Sequence, residues 1–222
     1  MQEVSGMGVI KVGVIVENHP YDIMEFQEML WSLEGCECYV QPFDLFVQDT
    51  ENQDKYDVLL FYNMNLPLPQ EGTPAYTYLT EKLGEKSQGI ILLHHALLSF
   101  PKWDLWTQVS GVKVRCEDGV FQYHQKETVR EYIADLEHPI TKDMSDFSLI
   151  DETYIIGEPE VQGNTVLITT DNAQSIKNLA WTRTYKNSRV FCYASGHDGL
   201  SYGDDRFRRL LMNGILWSIG RI

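Results

Sequence analysis

The sequence predicts an α/β protein built on a mostly parallel sheet with helices on both faces. Three observations carry that expectation. Wholly apolar runs recur at "GVIKVGVIVE" (8–17), "KYDVLLFYNM" (55–64) and "GIILLHH" (89–95), as strands covered on both faces require. Helix signals separate them, which sets a βαβαβαβ order. The chain has 222 residues, 43% of them hydrophobic, so there is material for a substantial core.

The elements follow in order. After the first run, Asp22 can cap a helix in which Ile23, Phe26, Met29, Leu30 and Leu33 form one stripe and Gly35 ends it. "CECYVQPF" offers the second strand, and a helix from Thr73 to Leu83 precedes "GIILLHH". From Val112 to Glu158 charged residues interrupt short segments, as in exposed antiparallel strands or a lid. Strand patterns return at "NTVLITTD", "IKNLAWTRTY" and "RVFCYAS". The chain closes with "DDRFRRLLMNGILWSIG", a helix that turns Phe207, Leu210, Leu211, Ile215 and Trp217 inward. No linker or repeat interrupts 1–222, so a single domain is expected.

Charge excludes several partners. With 32 acidic and 18 basic residues the net charge is −14, which repels nucleic acid and anionic membranes. No stretch is long enough to be a transmembrane helix, and the N-terminus lacks the order of a signal peptide. Cys36, Cys38, Cys116 and Cys192 form no CxxC and suit structural thiols. A cytoplasmic location is expected.

Open α/β sheets bind ligands beyond the carboxyl ends of their parallel strands. There the sequence places Glu17, Asn18 and His19, then Asn63 and Asn65, then His94 and His95, and finally Gly196, His197 and Asp198. One strand-end histidine is ordinary, but histidines after three such strands make a candidate site. No GxGxxG, GxxxxGK[ST] or GxSxG supports a dinucleotide site, a phosphate loop or a nucleophile elbow. Ser195 reads as a turn hydrogen-bonder rather than a nucleophile.

Five segments carry a family resemblance: "GIILLHHALLSF", "EHPIT" (137–141), "DETY" (151–154), "AWTRTYKNSRVFCYASGHD" (180–198) and "FRRLLMNGILWSIGR" (207–221). In content and order they resemble the ThuA-like family, named for trehalose utilisation. The resemblance implies a class I glutamine amidotransferase-like fold: flavodoxin-like, doubly wound, mostly parallel, with antiparallel insertions in the second half. The amidotransferase Cys gives way to the His94–His95 step, which argues against glutamine hydrolysis. The family's "YGKGRV" stands here as "YKNSRV" (185–190), where Asn187 can still make the turn. By register with the family's "LHA" pattern, His94 should face the pocket and His95 should be partly buried.

The family's role suggests acid–base chemistry on a sugar or keto-sugar, by an isomerase, epimerase or lyase needing no cofactor. A neutral imidazole, with a reference pKa of about 6.5, suits a general base. His94 or His197 could serve, with Glu152 of "DETY" as partner; the plainer reading of that motif is a helix cap by Asp151 with Tyr154 in the core. Trp103, Trp181, Tyr154 and Tyr202 could stack on sugar, with His19, Asn63 and Asp198 as further contacts. Core packing is the commoner fate of such aromatics. Arg183 could hold an anion, but pairing with Asp151 or Glu152 is the better expectation. Two alternatives remain open. In one, a divalent metal is held by two of His94, His124 and His197 with Glu152 or Asp151. The other is a noncatalytic carbohydrate-binding or partner protein. The apolar terminal helix and edge strands are compatible with a homodimer.

Overall fold

In a computed structural model, which describes residues 8–116 and 120–222, nine strands form one mixed sheet. The first half alternates strands and helices: β1 (Ile10–Glu17), α1 (Ile23–Trp31), β2 (Cys36–Pro42), α2 (Phe43–Gln48), β3 (Val58–Asn63), α3 (Pro74–Thr77) and β4 (Gly89–Leu93). The second half holds α4 (Asp104–Ser110), β5 (Gln122–Ile133), β6 (Phe147–Ile155), β7 (Thr165–Thr169), β8 (Asn178–Tyr185), β9 (Ser188–Tyr193), α5 (Gly199–Tyr202) and α6 (Asp205–Ser218).

The strand order is β2-β1-β3-β4-β9-β8-β7-β5-β6. Strands β2, β1, β3, β4 and β9 run parallel, and every residue of β3 and β4 is buried. That is why these strands read as unbroken apolar runs. From β9 onward all pairings are antiparallel, four of the eight in the sheet. The expectation of a mostly parallel sheet is therefore corrected to an even division. The switch begins at β9: β8 and β9 are joined by Lys186 and Asn187 alone, and so short a link permits only an antiparallel hairpin. Lys186, not Asn187, takes the left-handed φ of that turn.

The helices need smaller corrections. Phe26, Met29, Leu30 and the following Leu33 are buried, but Ile23, at the first position of α1, is exposed. Asp22 does not cap its helix; its carboxylate accepts the Gly199 N–H at 3.2 Å and ties α1 to α5. The helix from Thr73 is capped by the Thr73 hydroxyl and widens into a π-helical turn over Tyr78–Lys82. Helix α6, capped by Asp204, buries Phe207, Leu210, Leu211 and Ile215. Trp217 is only partly buried and carries the Arg189 guanidinium at 5.4 Å. Among the described residues no helix is long and apolar enough to cross a membrane.

Candidate functional site

The register of the parallel strands brings their ends together. Glu17 lies beside Asn63, and Leu93 beside Tyr193, so the residues that follow β1, β3, β4 and β9 share one edge. At the end of β4 the chain breaks into a 3₁₀ turn, and His94 takes a left-handed φ of 51°. For a non-glycine residue that conformation is costly and persists only where packing enforces it. It turns the His94 ring toward β9, where Nδ1 donates to the Ala194 carbonyl at 2.7 Å. A carbonyl only accepts, so this contact leaves the Nε2 lone pair free to receive, and the Tyr154 hydroxyl donates to it at 2.7 Å.

Glu152 and Tyr154 arrive on β6, which lies at the far end of the strand order yet folds back over this edge. Asp151 holds it there. The buried carboxylate accepts the N–H groups of Gly196 at 2.6 Å, His197 at 3.0 Å and Glu152 at 2.8 Å. Gly196, at φ 119°, makes the turn that presents His197, and a Cβ there would press on the Phe207 ring. "DETY" is thus a strand segment, and Asp151 caps no helix. Glu152 Oε2 takes the Gln125 amide at 3.4 Å, while Oε1 lies 3.5 Å from His197 Nδ1 and 3.7 Å from His94 Nε2.

A cavity of about 470 Å³ opens over this group, walled by His19, Met64, Phe121, Tyr123, Glu152 and His197 among others. Its electrostatics divide the labour. Burial alone would push the Glu152 carboxyl up, but His94, Tyr154 and His197 carry it down to about 2. Burial and then the neighbouring His94 hold both His19 and His197 below the usual histidine value. The wall therefore offers neutral imidazoles beside an ionised carboxylate at neutral pH. Two larger hollows, of about 580 and 980 Å³ near Lys113–Cys116, contain no histidine.

The structure brings only some of the expected residues here. His19, Glu152, Tyr154 and His197 line the cavity. His94 lies wholly buried behind them, not on the wall, because its positive φ aims the ring inward. His95 is fully rather than partly buried: Nε2 donates to the Tyr62 carbonyl at 2.8 Å and the ring stacks on His19 at 4.1 Å. Asn63 is buried and hydrogen-bonded to Asn65. Trp103 stacks on Tyr76, and Trp181 is core, donating to the Ser110 carbonyl. Tyr202 is buried against Tyr62 and the His197 carbonyl, while Asp198 caps α5. None of these five reaches the cavity. Arg183 pairs with Asn164 at 2.5 Å, not with Asp151 or Glu152, since it lies in β8 toward the opposite edge.

Sequence reasoning did not find Gln125, Phe121 or Tyr123, whose segment reads as exposed strand with no motif. As for a cation, His94, Glu152 and His197 each offer one donor atom, all within 4.8 Å of one another. His124 is not among them, and the Asp151 oxygens are taken by backbone. Three of the thiols are poor nucleophiles: burial pushes Cys36 up to about 11 and Cys38 to about 12, and lifts the buried Cys192 further.

Comparison with known proteins agrees with this architecture. The chain superposes on a ThuA-like protein from Parabacteroides merdae with a TM-score of 0.72 at 17% identity, covering 95% of this chain and 90% of that one. A ThuA-like protein from Bacteroides uniformis matches with a TM-score of 0.71 at 18% identity, covering 98% and 95%. A GMP synthase-type protein from Thermoplasma acidophilum gives 0.61 at 12% identity, covering 95% and 94%. No curated protein matches in sequence. The family profile described as ThuA, trehalose utilisation, matches residues 15–218, and the chain belongs to that family.

Proposed function

We propose that the protein is an enzyme of carbohydrate utilisation that moves a proton on a sugar or keto-sugar at the Glu152–His197 wall. The observation that supports this reading is a neutral imidazole and an ionised carboxylate side by side on one cavity. Isomerisation, epimerisation and elimination all begin by removing a proton beside a carbonyl, which needs a base and a group that stabilises the charge it acquires. His197 is neutral and can take the proton; Glu152, 3.5 Å away, stabilises the resulting imidazolium. His94 is a positioning residue, fixed in one tautomer by the Ala194 carbonyl. Phe121 and Tyr123 offer apolar faces for a sugar's C–H surface. The neighbouring hollow shares Val120 and Phe121 with the cavity, which leaves room for a second ring of a disaccharide. The reading takes the five parallel strands as a flavodoxin-like core whose elbow carries histidine in place of a cysteine nucleophile.

The test is proton exchange. The protein is incubated in D₂O with ketoses and with keto derivatives of disaccharides, and carbon-bound deuterium is followed by NMR. Wild type should label the carbon next to the carbonyl. Glu152→Gln and His197→Ala should slow labelling about 100-fold or more. No labelling and no new product with any sugar would overturn the reading.

A further inference from the structure

We infer that His94 Nε2, His197 Nδ1 and Glu152 Oε1 form a binding site for one divalent transition cation of the zinc class. The inference rests on the reading above that this wall is the functional site, and it changes which group there takes the proton.

The geometry carries it. The three donor atoms lie 3.2, 3.5 and 3.7 Å apart. A triangle with those sides has its centre about 2.0 Å from every corner, which is the bonding distance of zinc to imidazole nitrogen and carboxylate oxygen. Any three nitrogen and oxygen atoms in mutual contact span a similar triangle, so the radius admits the cation and the donor types select it. The His94 Nε2–His197 Nδ1 separation is within hydrogen-bond reach at 3.2 Å, whereas neither imidazole nitrogen comes closer than 3.5 Å to Glu152 Oε1.

The surroundings are those of a ligand set. A metal-binding imidazole usually donates its other ring N–H to a carbonyl or carboxylate, which fixes the tautomer and aims the lone pair. His94 does so through the Ala194 carbonyl. Glu152 Oε2 is held by Gln125, so Oε1 is the oxygen left facing the histidines. The His197 backbone is pinned by Asp151. Two imidazoles with one carboxylate favour zinc and its transition-metal neighbours over magnesium or calcium, which prefer all-oxygen shells. Three protein ligands also leave a position open toward the cavity, as catalytic zinc sites do. There the cation could polarise a sugar carbonyl or ionise a bound water, and that water would replace His197 as the base.

Two contacts oppose uptake, the His94 Nε2–His197 Nδ1 hydrogen bond and a hydroxyl at the same His94 nitrogen. The Tyr154 hydroxyl donates to the same His94 Nε2 lone pair that a cation would take. Binding must displace this hydrogen bond, so Tyr154→Phe should bind at least as tightly as wild type.

The test is titration of chelator-treated, full-length protein with Zn²⁺ alone, by calorimetry and by metal analysis after gel filtration. Wild type should bind one equivalent. His94→Ala, His197→Ala and Glu152→Gln should each lose stoichiometric binding, while His124→Ala keeps it. Circular dichroism identifies variants that have not folded, and the near-isosteric Glu152→Gln keeps the test decisive if His94→Ala fails to fold. Less than one equivalent on wild type, or full binding by folded Glu152→Gln, overturns the site. Sugar turnover by protein that binds no Zn²⁺ overturns the cation and leaves the proposed function standing. One equivalent of Zn²⁺ lost in the ligand variants, with no sugar chemistry in either metal state, supports the cation and overturns the sugar reading.

Discussion

His94 and His95 are adjacent, both wholly buried, and differ in what they hold. His95 donates to the Tyr62 carbonyl and fills a stack between His19 and Tyr62, and its Nδ1 has no partner among the described residues. His94 satisfies the Ala194 carbonyl, receives the Tyr154 hydroxyl and touches His197. A wall position for His94 would have made its removal almost neutral for stability; burial changes that expectation. His94→Ala and His95→Ala should each cost about 1–3 kcal/mol in urea unfolding, through the cavity and the polar group left unpaired. Turnover measured where both variants are folded should be lost in His94→Ala and retained in His95→Ala. The types and strand-end positions of these histidines were legible from the sequence. Which of them faces the cavity depends on the φ of a single residue, and no local pattern encodes that.

Among the elements, α6 shows how packing overrides propensity. Gly214 sits in the middle of this 14-residue helix, where glycine is about 1 kcal/mol worse than alanine. A Cβ at this position would lie 2.2 Å from Phe191 Cδ1 on β9, a clash that neither the strand nor the helix can relieve without moving. Overpacking of this kind costs about 1–3 kcal/mol, so Gly214→Ala should destabilise despite the better helix former. A raised melting temperature would show that α6 does not press on β9 this closely. The β5–β6 arm makes the complementary point. Its interrupted, charged sequence has the character of a periphery, yet it delivers Glu152, Tyr154 and Gln125 to the site, because Asp151 anchors it to the turn after β9.

At the scale of the whole molecule, the buried acid Glu131 couples stability to pH. Glu131 is fully buried and receives the hydroxyls of Tyr193 at 2.8 Å and Ser195 at 2.7 Å. Burial outweighs these donors and raises its carboxyl to about 8 from a reference of 4.5. The folded protein therefore binds a proton there that the unfolded chain has already lost between those two values. Stability from this group is complete below pH 4.5 and is lost as pH rises toward 8, by up to about 1.4 kcal/mol per pH unit. The buried histidines, held neutral by burial, act in the opposite direction below pH 6.5. Comparison with Glu131→Gln separates the two. Relative to that variant, wild type should lose stability from pH 5 to pH 8 in urea titrations; a flat difference would place the Glu131 carboxyl near its ordinary value.

Local sequence was enough to dictate the parallel half, the terminal helix and the gathering of polar residues after the parallel strands. Doubly covered strands must be continuously apolar, so β1, β3 and β4 are legible as written, and so is the stripe that α6 buries. It also sufficed for the family, since the motifs around His94, "DETY" and "GHD" keep their order along most of the chain. Three-dimensional packing set the rest. The antiparallel half of the sheet begins at the two-residue link between β8 and β9, a matter of pairing geometry rather than composition. Trp181 and Arg183, both on β8 and both with the chemistry to bind a sugar, were sorted into the core and the far edge by the part of the strand on which they fall. Glu152 reached His197 across 45 residues of chain because one buried carboxylate found three backbone donors. Long-range closure of that kind leaves no periodic trace in a sequence.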